Sequence, residues 1–480
     1  MPTSPRIDAN SQARRVAREL IAGEVVGLGP GLPTVLPGET PAAMALWFLA
    51  DSGACNYGPL DAQSQVPDAQ ALDAIRDVVD SGGDVVRLLP GGCSLSIVDM
   101  AAAICGGHVG SAVLQAAQVS SGGDFSHWTT QAVPGLFPPA SAVDWASGAR
   151  RVIAMMPHTA PDGSSNLVDQ SSLPVDGLGC VDLIVTDAAV IRVTHGGFEL
   201  LEVAPGWTAD DVAAITSAPL STASGLRVMT FGPPIGQAPN KVFADASAAV
   251  RDIPDGASIN LDGFAGPGGM SHYLMVALRD QGAKDLTIIS NTAGIARVAG
   301  FGSPPGKIPI DHSILVENKQ VKKAIASYPV SPRASRPSAF ELAFQRGEVE
   351  LEVVPQGTLA ERLRAGGAGI AAFYTPTALG TLLAEGKEVR VIDGKEYVLE
   401  TGLKADYCLI RAHKADTLGN LIYKGTSRNF NASMAPAATV TVVEVDEIVE
   451  PGVLNPEEIV TPGIFVQRIV QRPADFSPYE

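Results

Sequence analysis

The chain has 480 residues, 46% of them hydrophobic, which is enough apolar material for more than one core; the length predicts two or three domains. Its formal net charge of -17 argues against nucleic acid or an anionic membrane as the main partner, because both demand a basic surface, so any anionic ligand must be met by local Lys, Arg or backbone N–H groups. Five cysteines (Cys55, Cys93, Cys105, Cys180, Cys408) lie scattered without CxxC spacing, which points to neither a zinc site nor a disulfide framework. The first residues lack an apolar leader core and no stretch approaches membrane-spanning length, so a cytoplasmic protein is expected.

In chain order, the pattern predicts an amphipathic helix over Ser11–Ala22, then a strand and loop over residues 24–34, EVVGLGPGLPT. A helix is expected near Asp68–Val79, followed by apolar strands at 84–92, 149–159 and 181–194. Residues 217–240 are rich in Ser, Pro and Gly and suit a linker between a domain at 1–216 and a second at 241–480. The second half offers strands in ASINLDGFAGPGG, KDLTIISNTAG, EVELEVVPQG, AGIAAFYTP, DYCLIRA and ATVTVVEV. The fold class expected is α/β, as two related open-sheet domains.

Residues 355–381, PQGTLAERLRAGGAGIAAFYTPTALGT, interrupt that pattern with polar, glycine and aromatic residues. Leu359–Arg364 predicts a turn or two of helix, and Ala365–Gly369 is too glycine-rich to continue it. Ile370–Phe373 then reads as a short buried strand from which Tyr374–Thr377 turns away, with Phe373 and Tyr374 candidates to line an acyl or adenine pocket. In open α/β sheets ligands bind at such strand ends.

Several segments of the second half resemble the α subunit of the family I coenzyme A transferases that act on 3-oxoacids. They are DLTIISNTAG (285–294), VKKAIASY (321–328), the 355–376 segment, and the long run 419–470 that opens GNLIYKGTSRNFN. Residues 14–34, 105–128 and 149–159 resemble the β subunit, more weakly, so the chain resembles a β-then-α fusion. The resemblance implies a glutamate nucleophile, set in a Ser-Glu-Asn-Gly turn, that carries first the acyl group and then CoA. Counting without gaps from Gly31-Leu32-Pro33-Thr34 puts that position on Asp51, in Ala50-Asp51-Ser52-Gly53. Asp keeps the carboxylate but draws it back by one C–C bond, about 1.5 Å. Misplacement on that scale can cost on the order of 100-fold in rate.

Other departures are Ala140-Ser141 in place of a glycine pair, Asp262-Gly263-Phe264-Ala265 in place of Gly-Gly-Phe-Gly, and Cys105 in place of an arginine. The candidate site is therefore Asp51 as catalytic group, with Gly31, Gly53, Gln118, Ser141, Gly263, Phe264, Gly268, Asn291, Phe373 and Tyr374 as substrate or CoA contacts. Gln118 would donate to a thioester oxygen, whereas His127, where the family usually has asparagine, is equally an ordinary packed histidine. No metal and no permanently bound cofactor are expected; a CoA thioester and a carboxylate are the expected small-molecule partners, and a homo-oligomer the expected assembly. The activity implied is CoA transfer between carboxylic acids. Two alternatives stand beside it: thioester hydrolysis or cleavage with Asp51 as general base, and a non-catalytic ligand-binding homologue.

Overall fold

The computed structural model describes residues 5–60, 77–127, 142–232, 236, 238–262, 264, 269–299, 303–333 and 335–480. It divides into two compact units, Met1–Pro239 and Asn240–Glu480.

In the first unit the strands of the main sheet are β1 (Val25–Leu28), β2 (Trp47–Ala50), β3 (Ala54–Gly58), β4 (Arg87–Ser94), β5 (Ser111–Leu114), β8 (Arg151–Met156), β10 (Val181–Thr186), β11 (Ala189–Thr194), β12 (Gly197–Val203) and β13 (Leu220–Val228). Their spatial order is β13-β12-β11-β10-β8-β5-β1-β2-β3-β4. A small sheet adds β6 (Gln118–Ser120), β7 (Phe125–Ser126) and β9 (Leu167–Val168), in the order β7-β6-β9. The central strands β8, β5, β1 and β2 run parallel. All of Val26, Leu28, Leu49, Val113 and Ile153 are fully buried, as strands covered on both faces require. The expected first helix is shorter, Ala9–Ala17, because Asp8 caps it by accepting from the Ser11 N–H at 2.7 Å.

Three sequence expectations need correction here. The 181–194 run is two antiparallel strands, β10 and β11, turned at Asp187-Ala188 where Thr186 Oγ1 accepts from the N–H groups of Ala188 and Ala189. The 217–240 segment is not a bare linker. Its residues 220–228 form β13, which pairs in parallel with β12 at the sheet edge. The helix expected near Asp68–Val79 falls mostly outside the described residues; Val79 itself bridges to Val85.

In the second unit the main sheet holds β14 (Ser258–Leu261), β15 (Leu286–Thr292), β16 (Val321–Tyr328), β17 (Glu350–Val353), β21 (Ala405–Asp416), β23 (Ala438–Val449) and β24 (Arg468–Gln471), with β22 (Leu421–Ile422) paired to β21. The order β17-β16-β15-β14-β21-β23-β24 is parallel at every step. One contiguous core, from Ala246 to Val470, packs the helix His272–Gln281 onto this sheet through Leu274, Met275 and Leu278. A separate antiparallel sheet joins β18 (Ala372–Thr375), β19 (Val389–Ile392) and β20 (Lys395–Thr401) in the order β18-β20-β19.

That small sheet corrects the reading of residues 355–381. The helix does not stop at Arg364 but runs Gln356–Gly367, because Gly366 lets the backbone of Leu403 approach where a Cβ would stand 1.8 Å from its carbonyl oxygen. Nor is the next strand buried: Ile370 is 41% exposed and β18 belongs to the antiparallel sheet, not to the parallel one.

Candidate active site at the strand ends

In the first unit, β1 is flanked by β2 and β5 with Leu28 opposite both Ala50 and Val113. The turns that leave these three strands therefore emerge side by side at their C-terminal edge. After β1, Gly31 adopts φ +86°, and a Cβ there would lie 2.1 Å from Gln115 Oε1, the atom that accepts from the Leu32 N–H at 2.7 Å. Only glycine lets the loop sit on Gln115 in this way.

After β2, Ala50-Asp51-Ser52-Gly53 makes a tight turn into β3, closed by Gly53 N–H donating to Ala50 O at 3.0 Å. Gly53 has φ +98°, and a Cβ would meet Leu95 O at 2.3 Å. Ser81 ties this turn to β1: its hydroxyl donates to Leu28 O at 2.6 Å and accepts from the Asp51 N–H at 3.2 Å. Ser52 Oγ donates to Val79 O at 2.5 Å. The Asp51 main chain is thus fixed at both ends while its carboxylate stays partly exposed. Below it, the Tyr57 phenol is buried; burial pushes its pKa up, and the negative charges of Asp80 and Asp51 push it further. Tyr57 is held as a neutral phenol beneath the turn.

Gln118 starts the small sheet a few residues beyond β5. Its Oε1 accepts from Ser172 N–H at 3.0 Å and Ser172 Oγ at 3.1 Å, so its carbonyl end anchors the 171–172 turn. His127 takes the structural option: its Nδ1 lies 2.6 Å from Asp176 Oδ2 and its ring stacks on Phe125. Ala140, Ser141, Gly263 and Gly268 lie outside the described residues.

In the second unit the C-terminal edge of β14 and β15 gathers a different set. Asp262, fully buried, accepts from the Phe264 N–H at 2.8 Å, and Phe264 packs edge-on against Phe430 with centroids 6.4 Å apart. Asn291, near the end of β15, is 1% exposed, and its Oδ1 has no hydrogen-bond partner among the described residues. A buried acceptor left unmade costs about 1–3 kcal/mol, which is characteristic of positions kept for something other than packing. Phe373 and Tyr374 do not join this edge: they sit on β18, where the Tyr374 hydroxyl donates to Glu388 Oε1 at 2.5 Å and Arg390 stacks over the ring.

Sequence reasoning passed over a buried polar group on the same sheet. Glu444 on β23 is fully buried opposite Arg411 on β21 and accepts from the Leu274 N–H at 3.0 Å, at the start of helix His272–Gln281. Burial pushes its pKa up to about 7 in spite of the nearby Arg411 and Arg472 cations. His272 and His312 are also buried, and burial lowers both pKa values, that of His272 to about 3. A single histidine or glutamate in an apolar run carries no spacing signal, which is why these were invisible in the sequence.

Among the described residues no group of His, Cys, Asp and Glu could hold a metal ion, and no helix is long and apolar enough to cross a membrane. Residues 243–472 match the family model for coenzyme A transferase. One of the two subunits of the 3-oxoadipate CoA-transferase of Pseudomonas putida is 48% identical over 231 residues, covering 48% of this chain and 93% of that protein. The chain belongs to the coenzyme A transferase family. The corresponding subunit of the succinyl-CoA:3-ketoacid coenzyme A transferase of Helicobacter pylori is likewise 48% identical, over 230 residues that cover 48% of this chain and 91% of that protein. Among solved structures, glutaconate coenzyme A-transferase from Acidaminococcus fermentans is 20% identical, with a TM-score of 0.40 over 48% of this chain and 76% of that one. This CoA transferase family member is an acyl-CoA-processing enzyme resembling the 3-oxoacid CoA-transferases. The family match falls wholly within the second unit, so the Asp51 turn stands outside the matched residues.

Proposed function

We propose that the enzyme moves CoA between a 3-oxoacid and a second carboxylic acid, with Asp51 as the group that carries the intermediates, the first unit acting as the β-like half and the second as the α-like half. The carrying observation is the Ala50–Gly53 turn: a carboxylate at the C-terminal edge of a parallel sheet, its main chain pinned by Ser81 and by a glycine that no other residue can replace. Ligands in open α/β sheets bind at such edges, and a fixed main chain holds a nucleophile ready at little entropic cost. The names of the relatives point to 3-oxoadipate and succinyl-CoA as the substrate class. A cytoplasmic homo-oligomer, without a permanently bound cofactor, suits that chemistry.

An Asp51 carboxylate oxygen attacks the thioester carbon of the donor acyl-CoA, the C–S bond breaks, and CoA leaves as thiolate from an acyl-aspartyl anhydride. The thiolate attacks the Asp51 carbonyl carbon, releasing the donor acid as carboxylate and leaving an aspartyl-CoA thioester. The acceptor carboxylate reverses both steps, and no water or proton is consumed.

The test is to incubate the enzyme with acyl-CoA, trap with borohydride or hydroxylamine, and map peptides by mass spectrometry. A modified Asp51 is expected, and Asp51→Asn should lower transfer on the order of 1000-fold while leaving the melting temperature near that of the parent. Turnover with an unmodified Asp51 rejects the covalent route. Release of free CoA without an acceptor acid would mark hydrolysis, with Asp51 as general base.

A further inference from the structure

The second unit contains a cavity of about 150 Å³ lined by Arg411, Ala412, His413, Lys424, Ser427 and Asp446. It is built by register. On the parallel pair β21 and β23, Arg411 stands opposite Glu444, so Arg411 and His413 on one strand and Glu444 and Asp446 on the other project from the same face, two residues apart. Asp446, the acid of the lining, is already saturated: Arg411 Nη2 donates to it at 3.1 Å, Arg472 Nη2 at 2.6 Å, and His413 Nδ1 lies at 3.2 Å. Its role there is to orient the cations around it.

Lys424 is the contrast. It lines the same cavity from the segment after β22, is exposed, and makes no ion pair among the described residues. Its main chain is held, because Lys424 O accepts from Ser427 Oγ at 2.6 Å and Ser427 O in turn accepts from Asn431 Nδ2 at 2.8 Å. Three cationic side chains, Arg411, Arg472 and Lys424, thus converge on one carboxylate, in a chain whose net charge is -17. The other cation-lined cavity, of about 240 Å³ around Arg15, Arg18 and Arg227, differs in having two carboxylates, Glu19 and Glu202, that take up Arg15 and Arg227.

We propose that the Arg411–Lys424 cavity is a binding site for one anionic oxygen group, a carboxylate or a phosphate, held between the guanidinium and the ammonium. The site lies in a different unit from Asp51 and its occupancy does not depend on the transfer chemistry, so binding is read without turnover.

Isothermal titration calorimetry on the full chain, at low ionic strength, with inorganic phosphate and with succinate as separate probes, tests it. Saturable binding of at least one probe is expected. Lys424→Gln should weaken it about tenfold, the size of one charge-assisted contact, and Lys424→Arg should retain it. Because Lys424 is exposed, melting temperatures of both variants should match the parent. Tighter succinate binding assigns the site to a substrate carboxylate, and tighter phosphate binding to a phosphate. If neither probe gives saturable heat, or if Lys424→Gln binds as the parent does, the site does not exist.

Discussion

At the scale of single residues, the Ala50–Gly53 turn separates what must be kept from what can vary. Gly53 is fixed by space: an alanine there would place its Cβ 2.3 Å from a backbone oxygen, at a φ that L residues rarely adopt. Gly53→Ala should therefore lower stability by about 2 kcal/mol or more in denaturant titration; a change under about 0.5 kcal/mol would mean that the β2–β3 turn relaxes freely. Asp51 is fixed by nothing comparable on its side chain. Its position was legible in the sequence because the count from Gly31 runs without gaps to a glycine-containing turn. The role of Gln118 was less legible, since only the fold reveals that Ser172 occupies its carbonyl oxygen. The buried set around Glu444 was not legible at all, because burial and not neighbouring sequence makes it unusual.

At the scale of elements, two forces oppose each other in the helix Gln356–Gly367. Replacing a helix-interior glycine by alanine ordinarily gains about 1 kcal/mol. At Gly366 the new Cβ would collide with the Leu403 main chain, which is itself bonded to Arg362 O at 2.7 Å and so cannot withdraw cheaply. Gly366→Ala is expected to destabilise by about 2 kcal/mol or more, against the propensity scale, as a lower urea midpoint with unchanged slope. The sequence pattern took these glycines as a stop because propensity is local and the reason for them lies well downstream, at Leu403.

The start of helix His272–Gln281 makes a second element-level case. Glu444 has a folded pKa raised from 4.5 to about 7, so between those values the folded chain binds more protons than the unfolded one and stability falls as pH rises. Glu444→Gln mimics the protonated form. The melting temperature of the variant relative to the parent should be higher at pH 8 than at pH 5, by the equivalent of up to about 3 kcal/mol. His272 works the other way, its lowered pKa costing stability as pH falls from 6.5 toward about 3, but it is common to both proteins and cancels in the difference. An equal difference at both pH values would show that Glu444 is ionised throughout.

At the scale of the whole molecule, the α/β class was readable from alternating apolar runs and glycine-rich turns, and the parallel sheets bear it out. The antiparallel sheet β18-β20-β19 was not, because short strands such as β19 expose Val389 and Val391 and lack the apolar continuity of a buried strand. The second unit carries its own core, drawn entirely from residues 246–470. Expressed alone, residues 240–480 should melt cooperatively and keep a mixed α/β circular dichroism spectrum. A broad, non-cooperative melt would show that this core needs residues of the first unit.

The joint at Pro239–Asn240 has a consequence for supply inside the cell. The relatives named as single subunits are made as chains of about the length of one unit here, whereas this chain carries two units as one translation product. Each ribosome passage delivers the halves one to one, so neither can be over-produced, and dilution cannot part them. For a short tether the effective concentration of one half near the other is on the order of millimolar. Two separately made chains would have to match that through expression level alone.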